Sequence, residues 1–324
     1  MSTGSDPRVS TMERPPSPTT GLGAGKRRPG ERVILTLMQV AAGVSILTTV
    51  GIVAVLFVDA SAFFREPGVS FVDFMTDTAW RPFVEPTSDL FRIGVLPLLN
   101  GTLLVTFIAM VVAIPLGLMT AIYLSEYAAS KVRKTLKPVL ELLAGIPTVV
   151  LGYFALTFMT PLLRVLFGTG TVSIFNAASA GIVTGIMIVP TIASLSEDAM
   201  SAVPQSLREG AYGLGSAKRH VALRVVLPAA LSGIVAAVIL GFSRAIGETM
   251  IVAIAAGGLP TMTANPFDQI QTMTAYIVQA VRGEAPRGSV TYQSIFAIGA
   301  MLFLLTFSLN IAAQRFVRRF REVY

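Results

Sequence analysis

Six apolar segments dominate this chain and restrict what it can fold into. A helix that crosses the hydrocarbon core of a bilayer needs about 20 mostly apolar residues. Six segments qualify, namely residues 33–58, 102–124, 139–167, 177–195, 229–256 and 292–313. Of the 324 residues, 53% are hydrophobic and only 13% are charged, whereas soluble domains carry about 25% charged residues. We therefore expect an all-α membrane protein with six transmembrane helices.

The loops between these segments differ in positive charge, and the difference predicts their orientation. Eighteen of the 25 lysines and arginines lie before residue 33, within 131–137, within 208–224 or after residue 314. Cytoplasmic loops typically carry such an excess. The alternate loops hold only Arg65, Arg81, Arg92, Arg164, Arg282 and Arg287. We predict a multi-pass topology with both termini in the cytoplasm.

The same patterns divide the chain into regions. Residues 1–32 are rich in Pro, Gly, Ser, Thr and Arg, which predicts a disordered basic cytoplasmic tail, and residues 315–324 form a basic cytoplasmic C-terminus. The apolar run 33–58 is about twice as long as a signal-peptide core, so we interpret it as a first transmembrane helix that is not cleaved. Residues 59–97 are then external, and residues 98–314 form the main membrane domain.

Two external stretches carry recognisable patterns. Within residues 59–97, the stretch 71–91 combines four carboxylates with five aromatic side chains. This composition is typical of an amphipathic stretch at the membrane interface, and the alternative is an external gate or a docking patch for a soluble partner. Within the second external loop, 257–291, residues 269–282 place their apolar side chains near one helical face, which predicts a short helix on the membrane surface.

Charged residues inside the fifth segment are the first candidates for function. Arg244 lies about 22 Å from the predicted cytoplasmic end, past the middle of the membrane, where an unpaired arginine costs about 2.5–3.5 kcal/mol. In a continuous helix Glu248 would lie on the same face. The two either form an ion pair that only offsets its own burial or line a path where the guanidinium binds an oxyanion. Thr148 and Thr191, each directly after a proline, are further candidates for this path.

A polar, basic loop at 196–228 separates the fourth and fifth segments. Leu207, Ala211 and Leu214 fall on one face of a short helix. Glycines then permit a bend, and Ser216 can cap a second helix. The loop is therefore predicted to be a helix–turn–helix that protrudes from the bilayer, and it serves either as an ordinary amphipathic loop or as a docking surface.

Several functions are disfavoured by missing motifs. The string GLGAGK at 21–26 lacks the spacing of a nucleotide-binding P-loop. The chain has no cysteine and a single histidine, His220, so it lacks the ligands of a structural zinc site. We expect no cofactor or metal bound by this chain and no nucleic-acid partner.

The loop and four further strings resemble a known family. Glu209-Gly210-Ala211, then Gly215, then VVLP at 225–228 are similar to the EAA loop of ABC-importer permeases, with Gly210 in place of an alanine and a valine in place of an isoleucine. The four strings are PLLNGTLL at 97–104, ELLAGIPTVV at 141–150, RAIGETM at 244–250 and GSVTYQSIFAIGAMLFLLTFSL at 288–309. Over residues 96–321 the chain resembles PstC-type permease subunits of bacterial phosphate ABC importers.

This resemblance implies a type I importer fold, a place in the bacterial inner membrane and a set of partners. The partners are a PstA-type sister permease, two copies of a PstB-type ATPase that binds ATP and Mg²⁺, a PstS-type binding protein that delivers inorganic phosphate, and membrane lipid. The chain itself is then not an enzyme. The resemblance also implies that Arg244 and Glu248 are needed for phosphate passage. The implied ATPase-docking residues are Glu209, Gly210, Ala211, Leu214 and Gly215.

Two alternatives to phosphate import stay open from the residues alone. The first is a permease for another oxyanion such as sulfate or molybdate, because a guanidinium does not choose among these ions. The second is a membrane scaffold that senses phosphate without transporting it.

Overall fold

Two long helices, α3 (Leu96–Ile122) and α7 (Ala177–Ser201), pack side by side and supply much of the largest hydrophobic cluster. Their backbones approach closely because α7 carries Gly181 and Gly185. A Cβ atom at Gly185 would lie only 2.6 Å from the carbonyl oxygen of Ala109, and one at Gly181 would lie 2.7 Å from the Cβ of Ile108. Gly181 and Gly185, four residues apart, therefore allow close packing of two helices within the chain.

The computed structural model describes residues 29–319, apart from the side chains of 29–32, 284 and 316–319. The predicted tail up to residue 28 and the last five residues of the predicted basic C-terminus lie outside this range. The first helix begins at Pro29, four residues before the predicted first span. The chain divides into two compact units after Val53, and all of the buried clusters lie in the second unit.

The described part is mostly helical, as predicted. Its remaining elements are α1 (Pro29–Phe63), α2 (Phe71–Thr76), β1 (Trp80–Arg81), β2 (Arg92–Ile93), α4 (Ser130–Ala144), α5 (Thr148–Phe154), α6 (Thr160–Phe167), α8 (Gln205–Gly213), α9 (Lys218–Val221), α10 (Leu227–Ala229), α11 (Leu231–Ile246), α12 (Met250–Ala255), α13 (Met273–Gln279) and α14 (Val290–Arg319). Turns of π-helix occupy Tyr123–Tyr127, Ala155–Met159, Ala222–Val226 and Ala280–Glu284.

Five helical stretches of the described part are long and apolar enough to cross a membrane. They are Val33–Phe63, Leu96–Tyr127, Thr148–Phe167, Ala177–Ser201 and Val290–Arg315. A sixth span arises if Lys218–Ala229 and Leu231–Ile246, which meet at a 71° bend, are counted together. This agrees with six transmembrane helices, although two of the predicted boundaries are wrong.

The third span begins at residue 148 and not at residue 139 as predicted. Residues 130–144 form the separate amphipathic helix α4, in which no residue is buried. The prediction failed because an apolar run continues across the break. Gly145 ends α4, and Pro147 supplies the N-cap of α5, so the chain turns between the two.

The fifth span is broken and does not run through 229–256 as predicted. Helix α11 ends at Ile246, Gly247 is its C-cap, and the six-residue α12 begins at Met250. Two short helices therefore replace one long helix, and the polar residues between them lie at helix ends. Transporters tolerate such breaks where protein or a cavity surrounds the backbone.

Three of the five predicted external aromatic residues form part of a core, whereas Phe71 and Phe83 are exposed. Phe74, Trp80 and Phe91 are buried in one cluster with Tyr276 of α13. The ring of Trp80 meets that of Tyr276 edge-on at 5.0 Å, and the Tyr276 hydroxyl lies 2.5 Å from that of Ser294 on α14. The helix predicted on the membrane surface at 269–282 does not lie on a surface, because residues 273–276 are buried within the protein.

Candidate functional site

The break in the fifth span is organised by Glu248. Its Oε1 atom accepts hydrogen bonds from the backbone nitrogens of Met250 at 3.0 Å and Ile251 at 3.2 Å, the first two residues of α12. Helix N-termini present unpaired N–H groups and a positive dipole end, so a carboxylate is stabilised there. The Glu248 carbonyl in turn accepts from Thr274 on α13 at 2.7 Å. Glu248 is 8% exposed and is held by backbone donors.

Arg244 and Glu248 do not form an ion pair, which was one of the two alternatives from the sequence, because α11 ends between them. The described structure places Arg244 Nη1 at 3.1 Å from Oγ1 of Thr191 on α7 and gives the guanidinium no carboxylate partner. Arg244 is half-buried. A guanidinium has five N–H donors, so one contact with a neutral hydroxyl leaves most of its capacity for an anion.

The two predicted threonines are placed differently. Thr191 contacts Arg244 directly, whereas Thr148 is the half-buried first residue of α5 and makes no side-chain hydrogen bond in the described part. Helix α5 packs tightly on α12, since a Cβ at Gly152 would lie 3.1 Å from both the Met250 carbonyl oxygen and the Ile251 Cα. The structure thus brings Arg244 and Thr191 together, and Thr148 lies on a neighbouring helix.

The loop at 196–228 forms the predicted helix–turn–helix, and α8 is its exposed helix. Leu207 and Ala211 of α8 are half-buried and pack on a cluster that includes Met200, Val203 and Val226. This cluster holds one face of α8 against the membrane domain. Its other face is exposed in the part of the chain that the structure describes.

Arg208 fastens the same helix through hydrogen bonds. Its Nη1 donates to the carbonyl oxygen of Val203 at 2.6 Å, and its Nη2 donates to the carbonyl oxygen of Met200 at 2.8 Å and to Oε1 of Glu126 at 3.2 Å. Glu126 follows α3, whereas Met200 belongs to α7. The side chains of this ion pair are 12% and 5% exposed, so α8 is anchored to the ends of both core helices.

Four of the five predicted docking residues are exposed on or beside α8. Glu209, Gly210 and Gly215 are exposed, and Leu214 is 89% exposed. Ala211 points instead toward the membrane domain. Leu214 does not continue the apolar stripe as predicted, because α8 ends at Gly213 and Gly215 adopts φ +78°.

The predicted cap at Ser216 is also wrong. The N-cap of α9 is Ala217, and it makes no side-chain capping bond.

The comparison with known families decides the class of protein. Residues 113–322 match the family model described as binding-protein-dependent transport system inner membrane component. This chain belongs to that family. Its match covers the predicted docking residues as well as both sides of the break in the fifth span, so the permease class applies to the part of the chain that carries the candidate site.

Related proteins agree with this class. This permease is 36% identical to a probable ABC transporter permease, YqgH, of Bacillus subtilis, over 90% of the chain and 91% of that protein. It is 31% identical to a phosphate transport system permease protein, PstC, of Mesorhizobium japonicum, over 86% of the chain and 88% of that protein. A bacterial ABC transporter involved in alginate import matches in structure with a TM-score of 0.56 at 15% identity, covering 88% and 99% of the two chains. That likeness shows the fold, which is the type I importer fold.

A buried charge cluster in this permease was not foreseen from the sequence. The Glu197 side chain is 0% exposed and pairs with Arg133 and Lys137 of α4, and its Oε1 accepts from Ser201 at 2.9 Å. Lys137 also contacts Asp198. A signal for this cluster was available, since two adjacent carboxylates end an apolar span just where a basic stretch, 131–137, needs partners.

The cluster stabilises the protonated, positively charged form of Lys137. Burial lowers the pKa of its ammonium, but hydrogen bonds and charges from Asp198 and Glu197 outweigh burial and raise the pKa above 10.5.

Proposed function

We propose that this permease subunit imports inorganic phosphate in an ATP-driven complex and forms the translocation path with a PstA-type sister permease. The observation that carries the proposal is Arg244, a half-buried cation in a membrane-spanning helix whose described partner is a hydroxyl and not a carboxylate. The PstC relative, a phosphate transport system permease protein, supports phosphate as the substrate, at 31% identity over most of both chains.

The chemistry of this site favours a passing oxyanion. Guanidinium donors match the spacing of phosphate oxygens and make strong, charge-assisted hydrogen bonds. Thr191 can hold Arg244 in place when the path is empty and yield it to an anion at little electrostatic cost. We assign this holding role to Thr191 and not to Glu248, because Glu248 is occupied with the N-terminus of α12.

The exposed face of α8 is the surface through which the ATPase transmits its conformational change to this subunit. In this proposal it docks on one of two PstB-type ATPase subunits that bind ATP and Mg²⁺, with Glu209, Gly210, Leu214 and Gly215 at the contact. Ala211 lies on the opposite face of α8 and packs against the membrane domain. A PstS-type protein delivers phosphate on the opposite side. This arrangement puts α8 and both termini in the cytoplasm of a bacterial cell.

The decisive experiment measures uptake of radiolabelled phosphate into membranes that contain all four kinds of subunit, with Arg244→Gln compared with the wild type. We expect Arg244→Gln to abolish uptake and Arg81→Gln, an exposed arginine of β1, to leave it unchanged. Unimpaired uptake in Arg244→Gln would contradict the role of Arg244. Competition by unlabelled sulfate or molybdate equal to that by phosphate would reassign the substrate.

ATP hydrolysis by the purified complex tests the sensing alternative. A transporter is expected to raise hydrolysis when the phosphate-loaded binding protein is added and to accumulate phosphate in vesicles. Stimulated hydrolysis without accumulation would instead indicate a sensor.

A further inference from the structure

Two neighbouring cavities occupy the end of the molecule opposite to α8, on the predicted outer side. The first has a volume of about 260 Å³ and lies beside the end of α12 and α13, with Arg282 on its wall. The second has a volume of about 370 Å³ and lies between the end of α6 and the start of α7, with Arg164 on its wall. Phe175 and Gln269 line both cavities, so the two adjoin.

The side chains that line these cavities suit an anion. Each cavity contains one arginine, and no carboxylate is among their lining residues in the described structure. Arg164 has its Nε atom buried without a partner, and its Nη2 makes only a long contact of 3.4 Å with the Thr169 carbonyl. Arg282 has no hydrogen-bond or ion-pair partner among the residues described. A buried polar atom without a partner is costly, so a ligand that accepts from Nε of Arg164 is favoured, and the exposed Arg282 is free to reach the same ligand.

Neutral amide donors complete the lining. Gln271, 2% exposed, donates to Gln279 at 2.5 Å, and both side chains face the first cavity. The Gln269 amide makes no side-chain hydrogen bond within the described part and reaches the wall that the two cavities share. Amides and guanidinium groups together bind an oxyanion without fixing which one it is.

The first cavity depends on Gly257, which follows α12. Gly257 has φ +96°, and a Cβ atom there would lie 2.5 Å from Cγ and 2.6 Å from Nε2 of Gln269. Any larger residue would be strained and would displace this amide. The backbone is therefore shaped to let Gln269 lie across the turn.

The first cavity also lies close to the candidate path. Its wall includes Ala253 of α12 and Ala275 of α13, and the residue before Ala275, Thr274, donates to the Glu248 carbonyl. Helix α12 has six residues, which is about 9 Å at 1.5 Å per residue. The cavity thus begins at one end of a single short helix whose other end is capped by Glu248, four residues after Arg244.

We propose that these two cavities form an outer relay site for a tetrahedral oxyanion. Arg282 and Arg164 hold the ion after the binding protein releases it, and Gln269 lies between them. The ion then passes along α12 to Arg244. This inference rests on the proposed function, and it adds a second anion site and two residues to the path.

Uptake by the complete complex in proteoliposomes tests the relay site, with phosphate-loaded binding protein added at increasing concentration. The variants are Arg282→Gln, Arg164→Gln and Gly257→Ala, and the matched control is Arg81→Gln. We expect about a tenfold fall in maximal phosphate uptake for each arginine variant, as for the loss of a charge-assisted hydrogen bond. The half-saturating concentration of the loaded binding protein should stay unchanged. Arg282→Lys should recover part of the rate because it retains the charge.

The outcomes separate the relay site from its alternatives. An arginine variant with an unchanged maximal rate and a higher half-saturating concentration would place that arginine on the binding-protein interface and overturn the relay site. Wild-type rates in both arginine variants would overturn it as well. Failure of the wild-type complex to accumulate phosphate at all would overturn the proposed function itself, and this result differs from the other two.

Discussion

Arg244 donates a hydrogen bond from Nη1 to Oγ1 of Thr191, 3.1 Å away, and so joins α11 to α7. The contact matters because α7 also packs on α3, and because its C-terminal end, at Met200, is bonded to α8. The Arg244 guanidinium is therefore positioned by α7, the helix that also supports α8. Four predictions concern the residues that hold this arrangement together.

The first prediction concerns the partner of Arg244. Thr191→Val keeps the shape of the side chain but removes its hydroxyl, so Arg244 loses its described partner. We expect phosphate uptake to fall about three- to tenfold, as for the loss of a hydrogen bond to a charged group, while the complex still assembles. Thr191→Ser should retain most of the rate because it keeps the hydroxyl. A Thr191→Val complex with wild-type uptake would show that Thr191 does not position Arg244.

The second prediction separates two roles of Glu248. Glu248→Ala removes the acceptor for the backbone nitrogens of Met250 and Ile251, and we expect it to lower the free energy of unfolding by about 1 kcal/mol. Glu248→Gln keeps an amide oxygen at this position and should leave stability nearly unchanged. Thermal unfolding of the purified complex checks this difference.

Uptake by the same Glu248 variants then tests the charge. If the carboxylate takes part in phosphate passage, Glu248→Gln reduces uptake although it unfolds like the wild type. Wild-type uptake in Glu248→Gln would limit Glu248 to capping α12.

The third prediction concerns the charge cluster that joins α4 to α7. Lys137→Met leaves Glu197 with fewer partners and should lower the free energy of unfolding by about 1–2 kcal/mol. The pKa of Lys137 is raised above 10.5, so its contribution is complete below the unfolded pKa and is lost only as pH rises through the folded value. The loss should therefore be equal at about pH 6 and about pH 9.

Denaturation of purified Lys137→Met at these two pH values checks the prediction. Lys134→Met is the matched control, because Lys134 lies on the same helix, is exposed and has no described partner. A stability loss of the same size in Lys134→Met, or one that differs between the two pH values, would contradict the assigned contact.

The fourth prediction compares two glycines. A Cβ atom in Gly185→Ala would lie 2.6 Å from the Ala109 carbonyl oxygen, whereas one in Gly210→Ala would have nothing within 4 Å. We expect Gly185→Ala to destabilise the complex by about 1–3 kcal/mol through overpacking and Gly210→Ala to stabilise α8 by up to about 1 kcal/mol. Thermal unfolding measures both. Equal midpoints would show that α3 and α7 separate at little cost.

Composition and apolar run length sufficed to predict the helical class and the number of spans, and the spacing of Leu207 and Ala211 predicted the exposed helix α8. The two wrong span boundaries share a physical cause, namely that apolarity alone does not locate a helix end. The run containing Gly145 and Pro147 stays apolar across a turn, and apolar residues flank the break at Gly247 on both sides.

The candidate site was predictable in its residues but not in its contacts. Arg244 stood out because charge within a span is costly. Its partner Thr191 is 53 positions away, and no local spacing reports such a pair. The spacing of four between Arg244 and Glu248 suggested a pair that a continuous helix would form. The break at Gly247 instead gives Glu248 to backbone nitrogens.

The glycine-mediated contact between α3 and α7 has a mechanical consequence. Interlocked backbones cannot slide past each other, so these two helices behave as one stiff rod. Arg208 fastens α8 to one end of this pair, through Glu126 after α3 and the carbonyl oxygen of Met200 in α7. Thr191 is carried on the same rod. A displacement of α8 would therefore also displace Thr191, whose hydroxyl accepts a hydrogen bond from Arg244.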